Sequence, residues 1–277
     1  MLPRLPRLMG IVNVTPDSFS DGGRWAEPEA AIEHGLRLLA EGADILDIGG
    51  ESTRPGATRP LVEEELGRVV PVISALVAAG AVVSVDTMRS EVAGATLEAG
   101  ASMVNDVSGG LADPGMHKVV AASQATYVAM HWRAHSDHMQ DFAVYDGPEG
   151  VMGAVRDELS GRVEAMLEAG ITRERIVLDP GLGFAKRGEQ NWELLRGLAA
   201  LQELGFPLLV GASRKQFLGT LLEDAEGQPR GVDEREFAGA ALTLLLAQRG
   251  VWAVRVHDVR ASRDVLQVLA AMDGRDD

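Results

Sequence analysis

Eight short and almost uninterrupted apolar runs recur along the chain, and they constrain its fold more than any other feature. They are the near-continuous stretches typical of parallel strands that are covered on both faces. The runs are LMGIVN (8–13), ADILDI (43–48), VVSVD (82–86), SMVN (102–105), TYVAM (126–130), RIVLD (175–179), PLLVG (207–211) and WAVRV (252–256). Because segments with helical spacing of apolar residues separate them, the pattern predicts alternating strands and helices.

The spacing of these runs favours a closed barrel. The seven steps from Asn13 to His257 average about 35 residues, close to the roughly 31 residues per unit of a (β/α)₈ barrel. We therefore predict an α/β protein with a single (β/α)₈ TIM-barrel domain over residues 1–277. A doubly wound open sheet is the alternative, and the first run lacks the GxGxxG motif that would support it.

Composition excludes several classes of function. The chain has 41 acidic and 26 basic side chains and a formal net charge of −15. This balance disfavours a nucleic-acid partner, because duplex binding depends on clustered Lys and Arg. The chain has no cysteine, so disulfides and thiolate metal sites are excluded and a reducing cytoplasm is compatible. Since no apolar run could span a bilayer and the start does not resemble a signal peptide, we expect a cytoplasmic protein without a membrane partner.

Nearly every apolar run ends in a polar residue, at the place where barrel enzymes carry their chemistry. These residues are Asn13, Asp47, Asp86, Asn105, His131, Asp179, Ser213, Arg255 and His257. One buried carboxylate could belong to a structural ion pair, but a whole set at one barrel mouth predicts an active site. The long loops over 15–24 and 51–60 are either surface turns or flaps that cover this site.

Basic residues follow the last two runs. GASRKQFLG (211–219) places Lys215 at a helix start, where free N–H groups also favour anions. Arg255 and His257 share one side of the last strand, and this fold commonly binds phosphate after strands seven and eight. Lys215 could act as a Schiff-base amine or as a fixed cation; its position beyond the strand favours the fixed cation.

Three histidines after the fifth run, His131, His135 and His138, have a spacing that would suit a metal ion if they lay on a helix. They begin at a strand end, however, and the chain from there to Gly150 has the character of a loop. The sequence therefore disfavours a zinc site at these residues.

Seven motifs in order along the barrel resemble the dihydropteroate synthase family. They are GIVNVTPDSFSDGG (10–23), DIGGESTRPGA (47–57), SVDT (84–87), NDVSGG (105–110), DPGLGFAK (179–186), GASRKQFLG (211–219) and RVHDV (255–259). Members of that family condense (7,8-dihydropterin-6-yl)methyl diphosphate with 4-aminobenzoate in folate biosynthesis. The resemblance implies the same pterinylmethyl transfer, with Mg²⁺ as cofactor and a homodimer as the assembly.

The resemblance also implies roles for individual residues. The residues that match the pterin-binding positions are Asp86, Asn105, Met130, Asp179, Phe184, Gly211 and Lys215. The diphosphate positions are Asn13, Thr53, Arg54, Arg255 and His257, and Asn13 also matches the Mg²⁺ ligand. The aminobenzoate positions are Phe19, Pro55, Ser213, Arg214 and Lys215. The residues expected to be catalytic are Asp86, Asp179, Lys215 and Arg255.

The chain departs from the family pattern at two places. It has MHWRAHS after the fifth run, where many members have MHMQGTP, and Ala185 takes the place of a glycine. Neither change touches an assigned residue, so they bear on the shape of the fifth loop. Three other functions stay open at this point: a non-catalytic pterin-binding paralogue, a corrinoid-linked methyltetrahydrofolate methyltransferase, and an aldolase that uses Lys215. The segment 237–249, with Leu242, Leu245 and Leu246, either forms a dimer interface or packs in the core.

Overall fold

The structure is a computed structural model that describes residues 4–15, 26–51, 59–135 and 138–274. Each predicted apolar run is a strand, with ends that agree within two residues. The strands are β1 (Arg7–Asn13), β2 (Ile45–Gly49), β3 (Val83–Asp86), β4 (Met103–Asp106), β5 (Thr126–Met130), β6 (Ile176–Asp179), β7 (Leu209–Val210) and β8 (Ala253–Val256).

Helices follow the strands. They are α1 (Ala26–Ala40), α2 (Val62–Ala78), α3 (Ser90–Glu98), α4 (Met116–Ala121), α5 (Gly150–Glu168), α6 (Gly188–Arg196), α7 (Leu198–Gln202), α8 (Gln216–Leu221), α9 (Glu236–Gln248) and α10 (Val259–Asp273). Among the described helices, none combines the length and apolar character needed to cross a bilayer.

The eight strands form one parallel sheet that curls into a nearly closed barrel. Their order is β6-β5-β4-β3-β2-β1-β8-β7. The two edges meet because Leu178 of β6 forms a parallel bridge with Leu208, and the Leu178 N–H donates to the Pro207 carbonyl at 2.9 Å. The (β/α)₈ prediction is therefore confirmed, and the doubly wound alternative is wrong.

Strand side chains alternate between two apolar regions. Those that point outward, such as Leu46, Val85 and Val104, pack with the helices in the main core. Those that point inward near the start of the strands form a second cluster inside the barrel, composed of Met9, Ile45, Met103, Val128, Val177, Leu209 and Ala253. Because the alternation has a period of two, the same strands next point inward at seven positions, all of which except Ile11 were predicted for the site. These are Ile11, Asp47, Asn105, Met130, Asp179, Gly211 and Arg255.

Candidate active site

A hydrogen-bonded group of polar side chains fills the barrel mouth above the inner apolar cluster. We call Asp47, Asp86, Asn105, Asp179 and Arg255 the polar tier. Asn105 Nδ2 and Arg255 Nε both donate to Asp47 Oδ2, at 2.9 and 2.6 Å. Asp47 is fully buried, yet its Oδ1 has no hydrogen-bond partner in the part of the chain that the structure describes. Because an unpaired buried carboxylate oxygen costs free energy, this atom indicates where a ligand donor would bind.

Arg255 also holds the carboxylate at the end of β3. Its Nη2 donates to Asp86 Oδ2 at 2.8 Å, so one guanidinium bridges two aspartates. The strand register places Asp86 opposite Gly49 on one side and Asn105 on the other. Burial raises the pKa of Asp86, an effect that Arg255 opposes and Asp47 reinforces. The result is a compact set of interacting charges in which Arg255 and Asp86 share one barrel mouth.

Asp179 and Lys215 form a second pair of opposite charges. Asp179, at the end of β6, is 6% exposed and accepts the Gly181 N–H at 2.7 Å. The Lys215 Nζ donates to the Leu182 carbonyl and lies 4.9 Å from the centroid of the Phe184 ring. Burial lowers the pKa of Lys215 to about 8, with Asp179 opposing the shift. Burial also raises the pKa of Asp179, and Lys215 opposes that shift. Lys215 is therefore a cation that can lose its proton near neutral pH.

An apolar wall lies beside these charges. Met130 is 3% exposed and packs with Met88 and Val107, while the half-buried Phe184 packs against the same group. Gly211 lies next to Arg255: a Cβ added at this glycine would be 3.6 Å from the Arg255 Cβ, an ordinary van der Waals distance. The wall and the polar tier together suit a flat ring that has a polar edge.

The residues that follow β7 and β8 contact one another. Ser213 Oγ lies 3.0 Å from His257 Nδ1 and also accepts the His257 N–H at 3.3 Å. Arg214 donates to Glu236 and lies 3.5 Å from Asp233, so carboxylates beside the start of α9 bind its guanidinium. Ser213 and His257 therefore form one contact at the mouth, whereas Arg214 pairs with acidic groups next to it.

Asn13 ends β1, half-buried, on the side of Gly49 opposite Asp86. Asn13 Oδ1 and Asp86 Oδ2 both lie close to Gly49: a Cβ added at this glycine would be 3.8 Å from the first atom and 3.7 Å from the second. Four predicted site residues lie outside the described residues: Phe19, Thr53, Arg54 and Pro55. The two ends of the segment that contains the last three are joined, because Arg59 pairs with Glu51 at 2.7 Å.

His131, which the sequence also places at a strand end, does not join the polar tier. It is 2% exposed; its Nδ1 lies 2.8 Å from Lys186 Nζ and its Nε2 lies 3.0 Å from Glu158 Oε2. Burial lowers the pKa of His131 to about 4, and Lys186 adds to the shift. His131 is therefore neutral, with Nδ1 accepting from Lys186 and Nε2–H donating to Glu158.

The sequence alone suggests no role for two buried polar side chains near the barrel mouth. Asp47 was recognised only as a strand-end residue, although its inward parity and its place opposite Ile11 of β1 put it inside the barrel. Lys186 ends the motif DPGLGFAK, and nothing in the local sequence predicts that its side chain is only 2% exposed.

Comparison with known proteins agrees with this geometry. The profile of a family described as pterin binding enzymes matches residues 9–257. The dihydropteroate synthase of Mycobacterium leprae is 50% identical over 267 residues, which cover 96% of this chain and 93% of the relative. The chain belongs to the pterin-binding enzyme family. A second member of this family, the dihydropteroate synthase of Streptococcus pyogenes, is 43% identical over 266 residues, covering 96% of this chain and 95% of the relative.

Solved structures of pterin-binding enzymes share the fold. Dihydropteroate synthase of Xanthomonas albilineans with 4-aminobenzoic acid superposes with a TM-score of 0.88 at 48% identity, covering 98% of this chain and 94% of that one. The same enzyme in complex with 7,8-dihydropteroate gives a TM-score of 0.85 at 45% identity, covering 98% and 95%. Within the pterin-binding family, the chain therefore groups with the dihydropteroate synthases, which are pterinylmethyl transferases.

Proposed function

We propose that this protein condenses (7,8-dihydropterin-6-yl)methyl diphosphate with 4-aminobenzoate, which gives 7,8-dihydropteroate and diphosphate. The observation that carries the proposal is the polar tier with Lys215 beside it. Three carboxylates, one amide and two cations surround a barrel mouth with one apolar wall. A pterin ring presents N–H donors along one edge and a carbonyl next to them. Carboxylates can accept from the donors, and a cation can bind the carbonyl.

The pterin contacts follow from this match. Asp86, Asn105 and Asp179 bind the polar edge of the ring, and Lys215 donates to its carbonyl. Met130, Phe184 and Gly211 flank its faces. Asp47 joins the set, because its Oδ1, which has no partner among the described residues, offers one further acceptor at the barrel centre.

The chemistry is a substitution at the exocyclic methylene carbon. The C–O bond to diphosphate breaks first and leaves a cationic, electron-rich dihydropterin. The carboxylates of Asp86 and Asp179 stabilise this cation, while Arg255 and His257, with Thr53 and Arg54 from the second loop, bind the departing anion. The amine of 4-aminobenzoate then forms the C–N bond and releases a proton to solvent. Since three carboxylates face two cations, the mouth favours a cationic ring.

The residues present fit a Mg²⁺ ion that arrives with the diphosphate. Within the described residues there is no group of three or more His, Asp or Glu side chains able to hold a metal. Mg²⁺ commonly takes only one or two protein oxygens, with substrate phosphates and water completing its octahedron. The Asn13 amide oxygen at the end of β1 supplies one such ligand. When bound, Mg²⁺ would neutralise charge on the leaving diphosphate.

The proposal extends to the second substrate and to the setting of the reaction. Phe19, Pro55, Ser213, Arg214 and Lys215 surround the aminobenzoate, and the single barrel domain spans residues 1–277. A chain without cysteine suits the reducing cytoplasm, where we place the reaction.

The assembly that we propose is a homodimer through α9 and α10. These packed helices share exposed apolar side chains: Phe237 at 92%, Leu245 at 45%, Val268 at 58% and Met272 at 82%. Leu242 and Leu246, by contrast, are 7% and 2% exposed and belong to the core. A second copy of the chain would bury these side chains. Sedimentation velocity should show a dimer that Phe237→Glu converts to a monomer; a monomeric wild type would contradict the assembly.

The activity is tested by diphosphate release from the pterin diphosphate, with and without 4-aminobenzoate, together with mass spectrometry of the product. We expect release to require the amine and the product to be 7,8-dihydropteroate. Lys215→Met should abolish most of the activity, whereas Lys118→Met, at an exposed lysine of α4, should not change it. Pterin binding without amine-dependent release would identify a non-catalytic paralogue.

A further inference from the structure

The loop between β6 and α6, residues 180–187, is shaped by side chains that bind its carbonyl groups. Five successive carbonyls, from Leu182 to Lys186, each accept a hydrogen bond from a side chain. The pairs are Lys215 with the Leu182 carbonyl, Gln140 with Gly183 at 3.2 Å, Lys186 with Phe184 at 2.9 Å, Tyr145 with Ala185 at 2.8 Å, and Asn191 with Lys186 at 3.5 Å. Two of the donors, Gln140 and Tyr145, come from the β5–α5 loop (131–149), which is the segment where this chain departs from the family pattern.

One residue of the β6–α6 loop has an unfavourable backbone conformation. Ala185 has a φ of +48°, in the left-handed region that residues with a Cβ avoid for steric reasons. Ala185 is also 1% exposed, so solvent cannot satisfy its carbonyl. The Tyr145 hydroxyl donates to that carbonyl and so stabilises the strained conformation.

Tyr145 is itself held in place from outside the active site. The Arg133 guanidinium lies 4.1 Å from the centroid of the Tyr145 ring. Arg133 in turn donates to Glu158 at 2.5 Å and to the Val144 carbonyl at 2.8 Å. Tyr145 is only half-buried, and Arg133 contacts its ring rather than its hydroxyl. The hydroxyl can therefore donate its hydrogen bond to the β6–α6 loop.

The position of this loop matters for the site, because it carries Phe184. The ring of Phe184 lies 4.9 Å from Lys215 Nζ, and a Cβ added at Gly183 would lie 3.3 Å from Lys215 Cδ. A change of backbone conformation at Ala185 would therefore move the ring next to it relative to Lys215. The loop therefore packs closely against Lys215 at Gly183.

We propose that Tyr145 is a positioning residue for the pterin substrate, acting through the Ala185 carbonyl to hold Phe184 beside Lys215. The inference rests on the proposed function, since it concerns how that site binds its pterin. It assigns a role to the variant β5–α5 loop, and it pairs Tyr145 with Ala185. A glycine at position 185 would adopt the same conformation without strain and would depend less on the hydroxyl.

The test compares KM values for the two substrates in Tyr145→Phe, Ala185→Gly and the double variant. Tyr145→Phe should raise KM for the pterin diphosphate about three- to tenfold, the range expected for one net hydrogen bond, and leave KM for 4-aminobenzoate unchanged. In the Ala185→Gly background the same change should raise KM for the pterin less than about twofold. Calorimetric binding of 6-hydroxymethylpterin should show the same pattern without turnover.

The control is Tyr127→Phe, at the other tyrosine of the chain, whose buried hydroxyl donates to Asp106 at 2.7 Å. It should lower the melting temperature at least as much as Tyr145→Phe and leave KM for the pterin unchanged. Equal KM values in wild type and Tyr145→Phe would overturn the inference, as would a loss that affects both substrates or that Ala185→Gly does not reduce. If wild type neither binds the pterin nor turns it over, the proposed function has failed, and the inference fails with it.

Discussion

At the scale of single residues, Arg255 determines how charge is distributed in the barrel mouth. It donates to Asp47 at 2.6 Å and to Asp86 at 2.8 Å, so the acidic and basic groups of the site are interleaved. Removing one partner of such a buried pair costs roughly 3–5 kcal/mol, which makes Arg255 variants poor probes of catalysis alone. Asp86 is the better probe, because an asparagine can still accept from Arg255.

Asp86→Asn should lower kcat roughly 100-fold, because in the proposed mechanism it removes a carboxylate that stabilises the cationic pterin in the transition state. The amide keeps the size of the side chain, so the affinity for diphosphate should change less than about threefold. Steady-state kinetics and calorimetric titration with diphosphate measure the two quantities. Unchanged turnover would show that Asp86 does not stabilise the cation.

The protonation of Lys215 should appear in the pH profile. Its pKa is lowered to about 8, so the ammonium form is present below that pH and lost above it. We expect kcat/KM for the pterin diphosphate to fall about tenfold per pH unit well above pH 8, where the ammonium form of Lys215 is lost. Lys215→Arg keeps its charge and should remove this fall, even at a lower overall rate. A fall that persists in Lys215→Arg must come from another group.

At the scale of elements, the ends of β5 and β6 approach each other closely. A Cβ added at Gly181 would lie 2.4 Å from the His131 carbonyl oxygen, and Gly181 has a φ of +68°. The His131 N–H also donates to the Asp179 carbonyl at 2.9 Å. Gly181 therefore lets the β6–α6 loop turn back against the neighbouring strand, which places Phe184 at the site.

Gly181→Ala should lower the free energy of unfolding by more than about 3 kcal/mol, because backbone strain adds to a steric clash with main-chain atoms. Gly80→Ala is the matched control, since Gly80 has a φ of +86° and no described residue has an atom within 4 Å of an added Cβ. That control should cost only about 1–2 kcal/mol and leave activity unchanged. Chemical denaturation of the two variants makes the comparison, and equal losses would rule out the clash.

At the scale of the whole molecule, the barrel contains buried titratable groups beyond those of the polar tier. His131 is surrounded by Lys186, Glu158 and Arg133, which lie in three different parts of the chain. The folded protein keeps His131 neutral, whereas the unfolded chain releases it to titrate normally. This difference couples global stability to pH.

Acid should therefore weaken the fold through His131. The neutral form of His131 is favoured in the folded state. The contribution of His131 to the free energy of unfolding is therefore complete above pH 6.5 and is lost as the pH falls toward 4. Between pH 7 and pH 5 wild type should lose about 2 kcal/mol more stability than His131→Gln, which cannot take up the proton. Urea unfolding at the two pH values measures this difference. Equal losses of stability in the wild type and in His131→Gln would show that His131 does not cause this pH dependence.

The barrel and much of its polar tier follow from the pattern of residues along the chain. Eight apolar runs became eight strands within two residues of their predicted ends. Alternation along the strands also explains why Asn105, Asp179 and Arg255 point inward. Both features depend on short-range geometry: continuous apolar runs are buried on both faces, and side chains alternate with a period of two.

The contacts between these side chains, by contrast, depend on how the chain folds in three dimensions. Arg255 binds Asp47 and Asp86 across separations of 208 and 169 residues, contacts that exist only after the barrel closes. His131 turns away from the mouth to Lys186, and Tyr145 reaches the carbonyl of Ala185, 40 residues away. Local sequence patterns could not predict these partners, because each depends on the packing of separate loops. Strand positions and parity are local properties, whereas hydrogen-bond partners in the site are properties of the closed barrel.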